Sequence, residues 1–323
     1  MTNELSCPNG LPPVSIVIIG RNEANNLPDC IQSIRRIDYP QQALEVLYVD
    51  TDSNDGSPEV ARRLGVKVYE EHSDFPSPGR ARNRGLQEAQ HDIIHFVDGD
   101  MWVNPYYLGQ AVTYLGKDNV ACVIGRLEER FSATNLVSRI LEYPWKNRAA
   151  GYVHAPGGGG TFLKKALIEV GGYNPDILKG QETELGERLR RHGYCILLID
   201  QTMGNHDYGL HDLGTVWTWY QTKGRSFGKL LKLEPTGFIA AHQRLARRAL
   251  WQAVVAILLV IATTIAGWWW LIPVLPLLLA LYVVIRYWQT ARLRSLRIGY
   301  FLMEYFFKPA IWLGMVQQLL ARN

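Results

Sequence analysis

Four short apolar runs, separated by stretches of helical spacing, constrain this chain more than any other feature. Val14 to Ile19 (VSIVII), Leu44 to Val49 (LEVLYV), Val66 to Tyr69 and Ile93 to Val97 (IIHFV) read as strands, and nearly continuous apolar character marks strands buried on both faces of a parallel sheet. Between them, Asn25 to Ile37 sets Leu27, Ile31 and Ile34 on one helical face. Ser57-Pro58-Glu59 opens a helix with Ser57 as its N-cap, Arg80 to Ala89 is helical, and Asn104-Pro105 opens another. Strand and helix alternating at this pace give an α/β fold with a mostly parallel central sheet and crossover helices.

Ligands of such sheets gather beyond the carboxyl ends of the strands. Those ends carry Glu23, Asp50, Asp98 and Asp100. The pair Asp98-Gly99-Asp100 follows an apolar strand, and two carboxylates there can hold one hard divalent cation, Mg²⁺ or Mn²⁺, that leaves positions open for phosphates. The loop after Asp50, TDSNDGS, reads as an Asx-rich turn, which accounts for Asp52 and Asp55 better than for Asp50. A dinucleotide-binding enzyme would need G-x-G-x-x-G after the first strand, and Gly20-Arg21-Asn22 does not supply it.

The chain divides near residue 248. Ala249 to Ile285 contains no charged residue, too long for one crossing of a bilayer core that takes roughly 20 residues. Gly267, Pro273 and Pro276 break it, and Trp268, Trp269 and Trp270 suit a membrane–water interface. The expectation is a helical hairpin with crossings at 249–270 and 271–288. Arg244, Arg247 and Arg248 before it and Arg286, Arg292, Arg294 and Arg297 after it place both ends in the cytoplasm. Residues 236–248 read as a juxtamembrane amphipathic helix. For 298–320, interrupted by Glu304, Lys308 and Pro309, an interfacial helix and a third membrane helix both stay open. Four cysteines without a CxxC pair indicate a reducing compartment, and a net charge of +4 is too slight for nucleic acid to be a partner. The MTNELSCPNG start has no basic-then-apolar signal pattern, so residues 1–235 are expected on the cytoplasmic face of the inner membrane.

VSIVIIGRNEANNL, VLYVDTDSNDGS, GRARNRGLQEAQHDIIHFVDGDMW, TFLKKALIEVGGYNPDI and GQETELGERLRRHGY occur in that order and together resemble family 2 glycosyltransferases, whose fold is GT-A. The resemblance runs from about Pro12 to about Tyr194. It implies that Asp50 hydrogen-bonds the uracil ring of a UDP-sugar and that Glu23 contacts the nucleoside. Arg82 and Asn83 match the family's donor loop, with Arg80 or Arg84 adding charge for the pyrophosphate. Asp98 would touch the ribose, and Asp100 would coordinate Mg²⁺ or Mn²⁺. Glu182 matches the general base, with Glu184 as the alternative. His206 matches a third metal ligand, with His211 as a rival. Gly158 and Gly159, in a run of four glycines, permit close approach of the donor sugar. Trp219 and Arg225, beside a Lys-Gly-Arg-Ser-Phe-Gly turn, are candidates for an acceptor platform.

The implied activity is a membrane-anchored, inverting, metal-dependent transfer of a sugar from a nucleotide-sugar to a lipid-linked saccharide or envelope polysaccharide, at the lipid bilayer. Transfer to polyprenyl phosphate is the alternative within the class, and a nucleotidyltransferase is the alternative outside it.

Overall fold

The computed structural model describes residues 10–130, 134–207, 209–210, 212–233, 258, 261, 263–265, 267 and 294–321. The first half alternates as the apolar runs dictate: β1 (Val14–Gly20), α1 (Leu27–Arg35), β2 (Leu44–Asp50), α2 (Ser57–Arg63), β3 (Lys67–Glu70), α3 (Pro78–Glu88) and β4 (Ile93–Asp98). There follow β5 (Trp102–Val103), α4 (Tyr107–Ala111), β6 (Val120–Glu129), α5 (Leu136–Lys146), β7 (Gly151–Tyr152), β8 (Gly160–Leu163), α6 (Lys164–Glu169), α7 (Gln181–Arg191) and β9 (Cys195–His206). Two long helices, α8 (Leu213–Leu233) and α9 (Arg294–Leu320), complete the description.

The strands form one sheet in the order β3-β2-β1-β4-β8-β6-β9-β5, with β7 pairing β9 off this path. Strands β1 to β4 are parallel to one another, as expected. Beyond β4 the sheet is mixed: β8 runs antiparallel to β4 and β6, β6 and β9 are parallel, and β5 and β7 are antiparallel to β9. The expectation of a mostly parallel sheet therefore holds only for the first half. A two-residue strand carries no periodic pattern, and the sense of β8 is set by tertiary pairing.

Along β1 the side chains alternate between two cores. Val14, Ile16 and Ile18 face α1, α2 and α4, packing with Leu27, Ile31, Ala61 and Tyr107. Val17 and Ile19 face α3, α6 and α7, packing with Ala81, Leu86, Leu167, Leu185 and Leu189. The result is a helix–sheet–helix sandwich that leaves the carboxyl ends of β1, β2 and β4 open on one edge.

Ser57 begins α2, but the cap position belongs to Gly56 at φ 84°. The Ser57 hydroxyl instead accepts the Glu23 N–H at 2.8 Å, which ties the loop after β1 to the loop after β2. Within α8, the Lys-Gly-Arg-Ser-Phe-Gly segment is helical and forms no turn. Among the described residues no helix is long and apolar enough to cross a membrane. The expected hairpin over 249–288 falls almost wholly outside the described residues, and 236–248 entirely so. Residues 298–320 lie in α9, which packs along α8 with Phe307 and Ala310 in a cluster with Val216 and Tyr220.

Candidate active site

Three strand ends and one loop bring the acids together. Asp98 is the last residue of β4, Asp100 follows in the turn, and His206 ends β9. His206 Nε2 lies 3.5 Å from Asp98 Oδ2 and 3.3 Å from Asp100 Oδ1, and one donor atom from each residue falls within 4.8 Å of the others. Two carboxylate oxygens and an imidazole nitrogen suit Mn²⁺ or Mg²⁺ and leave further coordination positions for a diphosphate. Gly99 is required by the close approach of Glu23, whose Cγ would lie 2.9 Å from an added Cβ.

Charges in this cluster displace one another's protons. Burial alone would pull His206 down, but the hydrogen bond to Asp98 and the charges of Asp100 and Asp98 outweigh it and hold it up at about 9. Burial pushes Asp100 up to about 6, with His206 opposing and Asp98 reinforcing. Glu23 rises to about 7, through burial first, against its hydrogen bond from Asn26. Asp98 is half-buried, yet the Arg82 guanidinium holds it below the usual carboxylate range, with help from His206 and Lys179.

Arg82 is the pivot of the site. Its side chain is 3% exposed, with Nη2 on Asp98 Oδ1 at 2.8 Å and on the Gly158 carbonyl at 2.5 Å. Its guanidinium lies over the Tyr173 ring at 5.2 Å, and Nη1 reaches to 3.9 Å from Glu182 Oε1. Arg82 fixes Asp98, the glycine run and Glu182 relative to one another. Glu182 sits in the first turn of α7. The starts of α3 and α7 converge here: a Cβ at Gly79 would lie 2.9 Å from Gln181 Oε1. Two helix N-termini thus turn their positive ends towards one region.

The other expected residues divide. Asp50 is buried at the tip of β2, with Oδ2 accepting from Tyr48 and Ser53 hydroxyls at 2.8 and 2.5 Å and Oδ1 from the Ser53 N–H at 2.9 Å. Glu23 lies beside Asp98 and Asp100. Arg80 is half-buried at the start of α3. A Cβ on Gly158 would lie 3.2 Å from Asp98 Oδ2, whereas one on Gly159 would lie 2.9 Å from the Phe96 carbonyl; Gly158 borders the acids and Gly159 packs on β4. Asn83 accepts the Tyr173 N–H and donates to the Tyr173 carbonyl, both at 2.7 Å, and so clamps the Gly171-Gly172-Tyr173 turn. Glu184 faces away from the acids and forms a two-point pair with Arg188 at 2.5 and 2.6 Å; Arg188 also binds the carbonyls of Val170 and Gly172. Trp219 lies at the edge of the α8–α9 cluster, beneath Lys223. Arg225 is exposed and bonds Gln317 of α9. His211 lies outside the described residues.

Sequence reasoning missed Lys179 and Tyr173. Nothing marks Lys179 in a loop, and Tyr173 shows its place under Arg82 only once the turn that carries it is located. It also missed a groove of about 470 Å³ beside the cluster, lined by Asp29, Gln32, Arg36, Trp102, Asn104 and Asn205 among others.

Acids at strand ends, a trio able to hold a cation and a carboxylate on the facing helix make the clustered polar site of an α/β enzyme. Residues 15–166, just under half of the chain, match the model described as Glycosyl transferase family 2, and this match together with the curated relatives supports a family 2 glycosyltransferase. Glycosyltransferase AglE of Haloferax volcanii is 27% identical over 241 residues, which cover 69% of this chain and 70% of that protein. Mannosyltransferase PcManGT from Pyrobaculum calidifontis, solved with GDP-Man and Mn²⁺, shares the fold at a TM-score of 0.66 and 18% identity, covering 99% of this chain and 91% of its own. GalNAc-T7 with UDP, GalNAc and Mn²⁺ aligns at a TM-score of 0.51 and 18% identity over 64% of this chain and 47% of that one.

Proposed function

We propose that this glycosyltransferase moves a sugar from a UDP-sugar, with inversion, to an acceptor carried at the membrane: a lipid-linked saccharide or a growing envelope polysaccharide. The observation that carries the reading is the Asp98, Asp100 and His206 trio joined through Arg82 to Glu182. Mg²⁺ or Mn²⁺ held by that trio would offset charge on the departing diphosphate. Solved neighbours bind Mn²⁺ beside GDP-Man or UDP, which supports the same use here.

Each side chain then has a task that follows from its place. Asp50, fixed by Tyr48 and Ser53, is an acceptor for a base N–H. The converging starts of α3 and α7 favour the diphosphate. Glu182, partly exposed and held towards the acids by Arg82, takes the proton of the acceptor hydroxyl as that oxygen attacks the anomeric carbon. Attack from the side opposite the diphosphate inverts the carbon, and no covalent sugar–enzyme bond is needed. The uncharged run 249–285 would hold the site at a bilayer, where a lipid-borne acceptor waits.

The test is nucleotide release by the detergent-purified full chain over UDP-, GDP- and dTDP-sugars, with membrane lipid extract as acceptor source and with Mn²⁺, Mg²⁺ or EDTA. Turnover with one UDP-sugar, abolished by EDTA, by Asp100→Asn and by Glu182→Gln, is expected. Turnover that survives EDTA removes the metal, and turnover with a GDP-sugar alone removes the uracil reading of Asp50. A single-sugar phosphate lipid as sole product replaces the saccharide acceptor by polyprenyl phosphate.

A further inference from the structure

We propose that Ser226 and Lys229 on α8 are positioning residues that hold the start of α7, and with it Glu182, against the start of α3. The inference rests on the reading of Glu182 as general base and adds what sets its place. Residues 174–180 lead into α7, whose N-cap is Gly180 at φ 88°. Glu182 stands two positions further on, with Arg82 Nη1 at 3.9 Å from its Oε1. That distance is too long for a hydrogen bond, so the place of Glu182 depends on how the loop before it is held.

One side of the loop is built onto α3. The Ser77 hydroxyl donates to the Pro175 carbonyl at 2.6 Å and accepts the Arg80 N–H at 3.3 Å, so the residue that caps α3 also grips the loop. A Cβ at Gly79 would lie 2.7 Å from the Asn174 carbonyl oxygen. The other side is built onto α8. The hydroxyl of buried Ser226 accepts the Lys179 N–H at 3.1 Å, next to the α7 cap. Phe227 lies against Gly180, where an added Cβ would be 3.2 Å from its Cε1. Lys229 Nζ reaches Asp176 Oδ1 at 3.3 Å and sits 4.1 Å from the centre of the Phe75 ring, two residues before Ser77. Lys229 therefore touches both the loop before α7 and the segment before α3. The two polar contacts span 47 and 53 positions of sequence, so no local pattern announces them. A partly exposed ion pair contributes little to stability, whereas misplacing a catalytic group by about 1 Å can cost roughly 100-fold in rate. The signature of such positioning is a slower enzyme that stays folded.

The test is nucleotide release by the detergent-purified full chain over the same UDP-, GDP- and dTDP-sugars, with membrane lipid extract as acceptor source, read as kcat and donor KM. Hydrogen exchange across 174–182 is followed beside it. Ser226→Ala and Lys229→Met are each expected to lower kcat roughly 10- to 100-fold and to speed that exchange. Donor KM should change by less than about twofold, because the donor residues on β2 and β4 keep their places. Lys229→Arg, which keeps the cation, is expected to retain most of the rate. Asp176→Asn breaks the same ion pair from the loop side and should match Lys229→Met; if Ser226→Ala melts too low to assay, that pair of variants carries the test. Unchanged kcat in Lys229→Met and Asp176→Asn, exchange no faster than in the unsubstituted chain, a loss confined to donor KM, or an equal loss in Lys229→Arg overturns the proposal. Turnover indifferent to Glu182→Gln removes the general-base reading itself, a result distinct from indifference to Ser226 and Lys229.

Discussion

Glu182 and Glu184 stand two positions apart on α7, so their side chains leave the helix in different directions. Glu182 faces Arg82 and the acids, and Glu184 locks Arg188 onto the carbonyls of Val170 and Gly172. Their substitutions should therefore fail in different ways. Glu182→Gln is expected to lower kcat by roughly 100- to 10,000-fold, the usual contribution of a general base, with the melting temperature unchanged. Glu184→Gln leaves a half-buried guanidinium without its charge partner and is expected to cost about 3 kcal/mol of stability. Thermal melts beside donor turnover separate the two, and equal activity losses at equal stability would undo the assignment. The pH response is also local. His206 has a folded value near 9 against an unfolded one of about 6.5. Its proton therefore stabilises the fold fully below the lower figure, and that stability is lost as pH rises through the upper one. Raised Asp100 and Glu23 act in the same direction at lower pH, towards about 6 and about 7. After EDTA treatment the melting temperature should fall between pH 6.5 and 9, less so in His206→Gln. Mn²⁺ affinity should rise over that window, because binding displaces the proton. Glu23, Asp50, Asp98 and Asp100 were legible, since each ends or closely follows a readable strand. Arg82's inward turn and Asn83's clamp on Tyr173 were not, because both depend on where a turn ninety residues away comes to rest.

At the scale of elements, α8 and α9 run side by side in the same direction, with Trp217 near Phe307 at one end and Lys232 bonded to the Ala321 carbonyl at the other. Glycine makes that contact possible. A Cβ at Gly224 would lie 2.0 Å from the Ile311 carbonyl oxygen, one at Gly314 2.0 Å from the Gln221 carbonyl oxygen, and one at Gly228 2.8 Å from that of Met315. Gly224 and Gly228, four apart, form one smooth stripe on α8, where sequence reading expected a turn. The pattern signals backbone contact only once a partner helix is known, and α9 begins sixty residues beyond α8. The pair also reaches the catalytic edge: the Ser226 hydroxyl accepts the Lys179 N–H at 3.1 Å, and Phe227 lies against Gly180. Gly224→Leu should therefore separate α9 from α8, at an overpacking cost of roughly 1–3 kcal/mol or more. Faster hydrogen exchange across 307–320 would report the separation. Gly109→Ala, where an added Cβ meets nothing nearer than 3.8 Å, should leave that exchange untouched. Protection of α9 that survives Gly224→Leu would mean that contacts other than this stripe hold the pair.

For the whole molecule, what could be read was the part whose burial is periodic. Strands β1, β2 and β4 advertise themselves because both faces are largely covered, which makes most of their side chains apolar. The second half of the sheet is assembled from strands as short as two residues and from one twelve-residue strand, β9, that serves three neighbours; no local pattern encodes that. The proposed anchoring is a property of the same scale. Exposed Trp217 on α8 and Trp312, Leu313, Val316 and Leu320 on α9 give the helix pair an apolar surface, and the chain joining the two helices contains the uncharged run 249–285. Alkaline carbonate strips proteins held to a membrane by charge and leaves those inserted in its core. The full chain is expected to stay with the membrane pellet. Replacing Ile261 and Ile265 by Arg, each at a cost of roughly 2.5–3.5 kcal/mol in a bilayer centre, should move it to the supernatant. Complete release of the unsubstituted chain would show that the run does not enter the bilayer, and the lipid-borne acceptor would lose its main support while the glycosyltransferase site stood unchanged.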